Sequence, residues 1–306
     1  MITSPNSSVR GMPSGIIVPI ITPFDQDGSI DWPAYERVVA HVIAGGVDAI
    51  FVLGTTGEGP SLTTAGQRDL VKATQAHVAG RCAVYVGVTD TSLAESLRMT
   101  EHARDCGADA AVIAPAPYFP ATPAGQIAYF SAFVEKSTLP VILYNIPQMT
   151  KVNIDLGAFN ALVDDKKILG VKDSSGNMVY FQRLQHIARR RPDFSMLIGA
   201  EELLAESVLM GAHGGVTGGA NLFPELYRDL FAAAKARDFD TLNRLQTRLM
   251  TLSCKLYAFS GGGYIIQGIK AALAARGFCQ PWVQPPMLPA DAALKATVAE
   301  LVKEFS

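Results

Sequence analysis

The chain reads as a (β/α)₈ barrel with a helical extension at its C-terminal end, and three observations predict this. Eight short apolar runs punctuate residues 15–219 of the 306-residue chain. Most are followed by a helical pattern, and their starts fall about 19 to 35 residues apart, the spacing of strand–helix units. The runs are continuously hydrophobic and do not alternate, as expected for strands buried on both faces of a parallel sheet. A doubly wound open sheet is the competing arrangement, but no GxGxxG turn follows the first strand.

The strand expectations, in order, are GIIVPII (15–21), DAIFVL (48–53), AVYVGV (83–88), AAVIAP (110–115), PVILYN (140–145), ILGVK (168–172), SMLIG (195–199) and GGVTGG (214–219). Helical patterns fill the intervals over 65–78, 92–106, 123–136 and 177–190. Capping signals support them: Thr64 three before Gln67, Ser92 three before Glu95, and Asp155 ahead of an apolar stripe. Gly45-Gly46, Gly107 and Gly211 stand where helices should stop. Beyond about Ala236 the pattern is helix only, over 239–256, 264–276 and 291–305, with the Pro-rich QPWVQPPMLP bending the chain before the last helix. This divides the chain into a loose polar leader (1–14), a barrel (15–235) and a helical region packed on it (236–306).

Composition narrows the partners. A hydrophobic content of 49% supplies one large core. A net charge of −2 without a basic block argues against nucleic acid or an anionic membrane as a partner. No apolar run approaches the roughly 20 residues of a membrane helix, and the polar first residues carry no signal-peptide core. The four cysteines form no CxxC pair and suit reduced, buried thiols of a cytoplasmic protein. The five histidines show no metal-ligand spacing, so no metal is expected.

Chemistry in a barrel comes from strand C-termini and the loops that follow them. That rule gathers Lys172 from the sixth strand, Tyr144 from the fifth, and the Gly54-Thr55-Thr56-Gly57 loop after the second, with Gly199 and Val216 from the seventh and eighth. A lysine leaving Ile168-Leu169-Gly170-Val171 is partly desolvated, which disfavours the ammonium form, and an uncharged lysine forms Schiff bases with carbonyl substrates. Taken singly, such a lysine usually snorkels to solvent, Thr-Thr-Gly is ordinary turn composition, and a lone tyrosine is usually core. Their convergence at one barrel mouth points to a 2-oxo acid. Lys172 would attack its keto carbon, the hydroxyls and N–H groups of the Gly54–Thr55–Thr56–Gly57 loop, Gly57 included, would hold its carboxylate, and Tyr144 would shuttle protons. The protonated imine would be the electron sink, with no other cofactor.

GTTGE at 54–58, YNIP at 144–147, GVKDSSG at 170–176 and GGVTGGAN at 214–221 resemble the N-acetylneuraminate lyase / dihydrodipicolinate synthase family of class I aldolases. The opening GIIVPIITPFDQDGSID and the closing helices match too, so the likeness covers nearly the whole chain. It implies a (β/α)₈ barrel with a C-terminal helical region, commonly a homotetramer, with pyruvate and an aldehyde as partners. It places the Schiff base on Lys172, the proton shuttle on Tyr144 and carboxylate binding on Thr55 and Thr56.

The departures bear on the substrate. Dihydrodipicolinate synthases carry an arginine after the YN motif that clamps the aspartate-semialdehyde carboxylate. Here Met149 stands at that position, and a thioether cannot pair with a carboxylate; Lys151 is a weak stand-in. Those enzymes also use a relay tyrosine contributed across a subunit interface. Phe119 falls at that place and has no hydroxyl, leaving Tyr118 as a substitute if the loop shifts. Glu201 and Glu202 in IGAEE resemble the acidic residues with which sialic acid lyases bind sugar hydroxyls. The plain alternative for them is N-terminal charge on a helix over 201–210. A serine that the lyases place after the eighth strand corresponds to Gly218. The sequence therefore favours cleavage or dehydration of a hydroxylated, sugar-acid-like 2-oxo acid. 4-Hydroxy-tetrahydrodipicolinate synthesis comes second, and a catalytically idle 2-oxo-acid-binding barrel third.

Overall fold

The computed structural model describes residues 11–257 and 265–305. Most of the expected leader, and Tyr264 at the start of one expected helix, lie outside them. Eight parallel strands follow one another around a closed barrel: β1 (Gly15–Pro19), β2 (Ala49–Val52), β3 (Ala83–Gly87), β4 (Ala110–Ile113), β5 (Val141–Asn145), β6 (Ile168–Asp173), β7 (Ser195–Ile198) and β8 (Gly214–Val216). Closure is direct, with Gly15, Ile16 and Ile17 of β1 opposite Gly214, Gly215 and Val216 of β8. The strands are shorter than the apolar runs. β1 stops at Pro19 instead of Ile21, and the run after Val216 turns into a short 3₁₀ segment, Gly219–Asn221.

Among the described residues, twelve α-helices complete the structure. They are α1 (Trp32–Ala44), α2 (Thr64–Val78), α3 (Leu93–Asp105), α4 (Pro123–Lys136), α5 (Pro147–Thr150), α6 (Leu156–Leu162), α7 (Met178–Ala188), α8 (Leu204–Leu209), α9 (Pro224–Ala236), α10 (Phe239–Leu256), α11 (Ile265–Ala275) and α12 (Ala292–Phe305). Side-chain oxygens of Asp31, Ser92, Thr122, Asp155, Asn177 and Asp238 cap six of them, each worth about 1 kcal/mol. The α2 cap is a correction. Thr63, in extended backbone, accepts from the Gly66 N–H, and Thr64 is the first helical residue. The helix expected over 201–210 is also corrected: Glu201–Leu203 is a 3₁₀ turn and the α-helix begins at Leu204.

Although the strands are largely apolar on both faces, closure gives the two faces different neighbours. Ile17, Phe51, Tyr85, Val112, Ile142, Leu197 and Val216 fill the barrel interior. Their chain neighbours, such as Ile16, Ile50, Val84, Leu143 and Val171, pack outward against the helices. The period-two alternation of a strand therefore turns Tyr144 and Lys172 inward, and Asn145 and Asp173 outward. Burial of Leu242, Leu245, Leu249, Leu252 and Leu256 seats α10 and leaves Cys254 exposed, while Cys106 is half-buried. Of the four free cysteines only Cys82 and Cys279 are buried as expected.

Candidate active site

At the C-terminal mouth of the barrel lies a cavity of about 760 Å³, within the range of small-molecule sites. Lys172 and Tyr144 stand at its floor, opposite each other in the β5–β6 register. Both are buried, at 5% and 6% exposure, so Lys172 does not snorkel to solvent. Its Nζ lies 3.9 Å from the centroid of the Tyr144 ring and 5.1 Å from that of Phe51. Among the described residues its amine has neither an ion-pair nor a hydrogen-bond partner.

The register of these two residues is pinned from the outer face. Asn145 donates from Nδ2 to Asp173 Oδ1 (2.8 Å) and to Asn153 Oδ1 (3.2 Å), and its Oδ1 accepts from the Ile154 N–H (2.8 Å). Asp173 also accepts from the Ser175 N–H and hydroxyl, each at 3.0 Å. Burial raises the Asp173 carboxyl above its ordinary range despite these donors.

The loop after β2 is tightly folded. Leu53 and Glu58 bracket it in left-handed backbone, at φ 60° and 55°, a conformation that costs a non-glycine residue of order 1–3 kcal/mol and that surrounding structure must hold. The N–H groups of Gly57, Glu58 and Gly59 bond back to Gly54 and Thr55 carbonyls. Those of Thr55 and Thr56 have no protein acceptor among the described residues. Both threonines line the cavity. Gly57 does not. Its carbonyl accepts from Thr22 Oγ1 at 2.6 Å, and a Cβ there would meet the Ile20 carbonyl at 2.6 Å, so it is a close-approach residue of the turn.

Gly199 and Val216 also line the cavity. A Cβ on Gly199 would fall 3.0 Å from Lys172 Cε and 2.0 Å from Ser174 Oγ, so the absence of a side chain there makes room for the lysine. Met149 lines the mouth at 39% exposure. Lys151 lies beside it and donates from Nζ to the Gln148 carbonyl at 2.8 Å.

The two glutamates differ. Glu202 lines the cavity and accepts from Ser253 Oγ at 2.6 Å. Glu201 also reaches the lining but is buried, and its carboxylate accepts from the Tyr227 hydroxyl, the Tyr257 hydroxyl at 2.5 Å and the Gly219 N–H at 2.9 Å. Plain N-terminal charge, the alternative read from sequence, does not describe Glu201: burial raises its pKa and outweighs its three donors.

Phe119 and Tyr118 stand apart. They are 78% and 83% exposed, edge to face at 4.9 Å, and neither lines the cavity. Sequence reasoning missed Ser174, Gln148, Tyr257 and Phe51. Period two from Lys172 would have pointed to Ser174 and period two from Ala49 to Phe51. Nothing local marks Tyr257, whose cavity position depends on how α10 packs.

Residues 12–305 match the model of the dihydrodipicolinate synthetase family. The chain belongs to that family. A dihydrodipicolinate synthase structure from Bacteroides thetaiotaomicron superposes with a TM-score of 0.92 at 40% identity, covering 96% of this chain and 99% of that one. The prophage protein YagE of Escherichia coli K12, a family member solved in complex with pyruvate, gives 0.88 at 27% identity over 95% and 98%. The 4-hydroxy-tetrahydrodipicolinate synthase of Ralstonia nicotianae is 30% identical over 286 residues, 93% of this chain and 95% of its own. As a member of the dihydrodipicolinate synthetase family, the protein is a pyruvate-dependent class I lyase, and the family forms its imine on a lysine without a metal. Among the described residues no helix is long and apolar enough to cross a membrane.

Proposed function

We propose that the enzyme cleaves or dehydrates a hydroxylated, sugar-acid-like 2-oxo acid, with Lys172 as the imine-forming lysine. One observation carries this reading: a buried lysine amine without an anionic partner, 3.9 Å from the Tyr144 ring centroid on the cavity floor. Lys172 Nζ adds to the keto carbon, and the carbinolamine hydroxyl leaves as water with a proton from Tyr144, giving an iminium and a tyrosinate. In the cleavage direction the C3–C4 bond breaks and its electron pair enters the iminium as an enamine. The C4 hydroxyl gives its proton to Tyr144 and departs as an aldehyde. Protonation at C3 and hydrolysis return pyruvate and the free lysine. The unpaired Thr55 and Thr56 N–H groups, with the Thr56 hydroxyl, bind the keto-acid carboxylate, as anion-binding loops do.

Beyond C4 the cavity offers Ser174, Gln148 and Glu202 to hydroxyl groups, while Met149 supplies no charge for a second carboxylate. 4-Hydroxy-tetrahydrodipicolinate synthesis is the second reading, favoured by the names of relatives at 30–40% identity. Cytoplasmic residence and a homotetramer belong to the proposal as well. The solvent-facing Tyr118–Phe119 pair supports a subunit contact, which sedimentation would test.

Intact mass after incubation with pyruvate and borohydride, run beside Lys172→Ala, tests the core of the proposal. One reduced pyruvyl adduct is expected on the wild type and none on the variant; an adduct on both would remove Lys172 from its role. Turnover of pyruvate with aspartate semialdehyde, exceeding that of any sugar acid, would move the assignment to the second reading.

A further inference from the structure

Among the described residues, one ion pair has both side chains fully buried: Glu58 with Lys270. Glu58 closes the loop that carries Thr55 and Thr56, its N–H bonded to the Thr55 carbonyl at 3.0 Å. Its carboxylate meets Lys270 through Oε1 and accepts the Gln284 N–H through Oε2 at 2.7 Å. Lys270 donates to the Trp282 carbonyl at 2.8 Å and lies 4.0 Å from the Phe24 ring centroid. The same helix, α11, begins with Ile265 and Ile266, both in the cavity lining. One rigid element thus forms part of the cavity wall and grips the far end of the threonine loop.

We infer that the Glu58–Lys270 pair positions the Thr55–Thr56 loop for the keto-acid carboxylate and makes the C-terminal helical region part of the substrate site. Two physical points carry this. Left-handed backbone at Glu58 persists only where its surroundings over-determine it, and the grip on the Glu58 side chain does that. A fully buried ion pair is also a poor source of net stability, because desolvating two charges offsets their attraction, and well-packed neutral replacements are often tolerated. What such a pair supplies is a fixed geometry. The inference rests on the proposed carboxylate role of the threonine loop.

The test is the double variant Glu58→Gln/Lys270→Met, in the full-length protein, with Thr56→Val alongside. The readouts are the melting temperature, and the half-saturating pyruvate concentration and maximal rate of borohydride trapping. Removing both charges together leaves no unpaired ion, so the melting temperature should stay near that of the wild type. Half-saturating pyruvate should rise about tenfold or more, in line with the sensitivity of bound geometry to sub-ångström displacement, while the maximal rate changes little. A folded double variant with wild-type half-saturation would overturn the positioning role. Should the double variant not fold, Glu58→Gln/Lys270→Gln, which also leaves no buried ion and keeps an acceptor for the Gln284 N–H, carries the same readout. If Thr56→Val raises half-saturation and the double variant does not, the inference alone fails. If neither does, the carboxylate reading beneath it fails too.

Discussion

Gly199→Ala isolates a purely steric claim about the reacting lysine. Gly199 is not in left-handed backbone, so alanine brings no conformational strain, only a methyl group. That methyl would lie 2.0 Å from Ser174 Oγ, 3.0 Å from Ser174 Cβ and 3.0 Å from Lys172 Cε, where ordinary contacts begin at 3.4 Å. The serine hydroxyl can rotate away. Lys172 Cε must then retreat by about 0.4 Å or more, tilting Nζ along the cavity floor. A 1 Å misplacement costs on the order of 10²-fold in rate, so a shift of about half that should slow imine formation about tenfold, or about 1.4 kcal/mol. The assay is the single-turnover rate of borohydride-trapped pyruvyl adduct, with circular dichroism confirming the fold. Gly199→Ala/Ser174→Gly removes both serine contacts and leaves only the lysine contact, so it should remain slow. Wild-type trapping by Gly199→Ala would refute the argument that Gly199 sets the position of the lysine.

Met149→Arg supplies a guanidinium at a half-exposed position on the cavity mouth. A good bidentate carboxylate contact is worth about 1–3 kcal/mol, so kcat/KM with aspartate semialdehyde should rise roughly tenfold or more; no gain would detach this position from recognition of the second carboxylate. Glu201→Gln tests a pH dependence. Burial raises the folded-state pKa of Glu201 above its ordinary 4.5, so just above pH 4.5 the native state keeps a proton that the unfolded chain has released. The Glu201 contribution to stability therefore falls as pH rises through that window. The melting temperature of Glu201→Gln, minus that of the wild type, should increase from pH 4.5 upward, and a flat difference would contradict the assignment. Asn145→Ala leaves the Ile154 N–H and Asp173 Oδ1 without their Asn145 partner. Asp173 Oδ1 keeps the Ser175 N–H, so at about 1–3 kcal/mol for the one buried donor left unsatisfied, urea denaturation should show a loss of about 1–3 kcal/mol, and a change under about 0.5 kcal/mol would show that the strand ends do not depend on this lock.

The sequence by itself determined the barrel and the residues that converge at its mouth. Continuous Val/Ile/Leu runs at strand–helix spacing have no stable home except a sheet covered on both faces, and in a barrel the strand ends converge. That is why the convergence of Lys172, Tyr144 and the threonine loop at one barrel mouth was legible from the strand ends, whereas Met149 was singled out through the resemblance to dihydrodipicolinate synthases. Other features needed the fold. The same continuous hydrophobicity hides which alternate residue faces inward, so the packing of Phe51 against Lys172 emerges only on closure. The burial and bonding of Glu201 depend on Tyr227 and Tyr257, brought to it by α9 and the end of α10. Gly57, read as a substrate contact, is instead a backbone crossing against Ile20. Phe119 lies on the surface because its loop leaves the barrel mouth. The contact of Glu58 with Gln284 spans 226 positions. Local patterns carry burial and turn preference over a few residues, whereas a buried charge or a missing Cβ is explained only by the partners that chain closure delivers from afar.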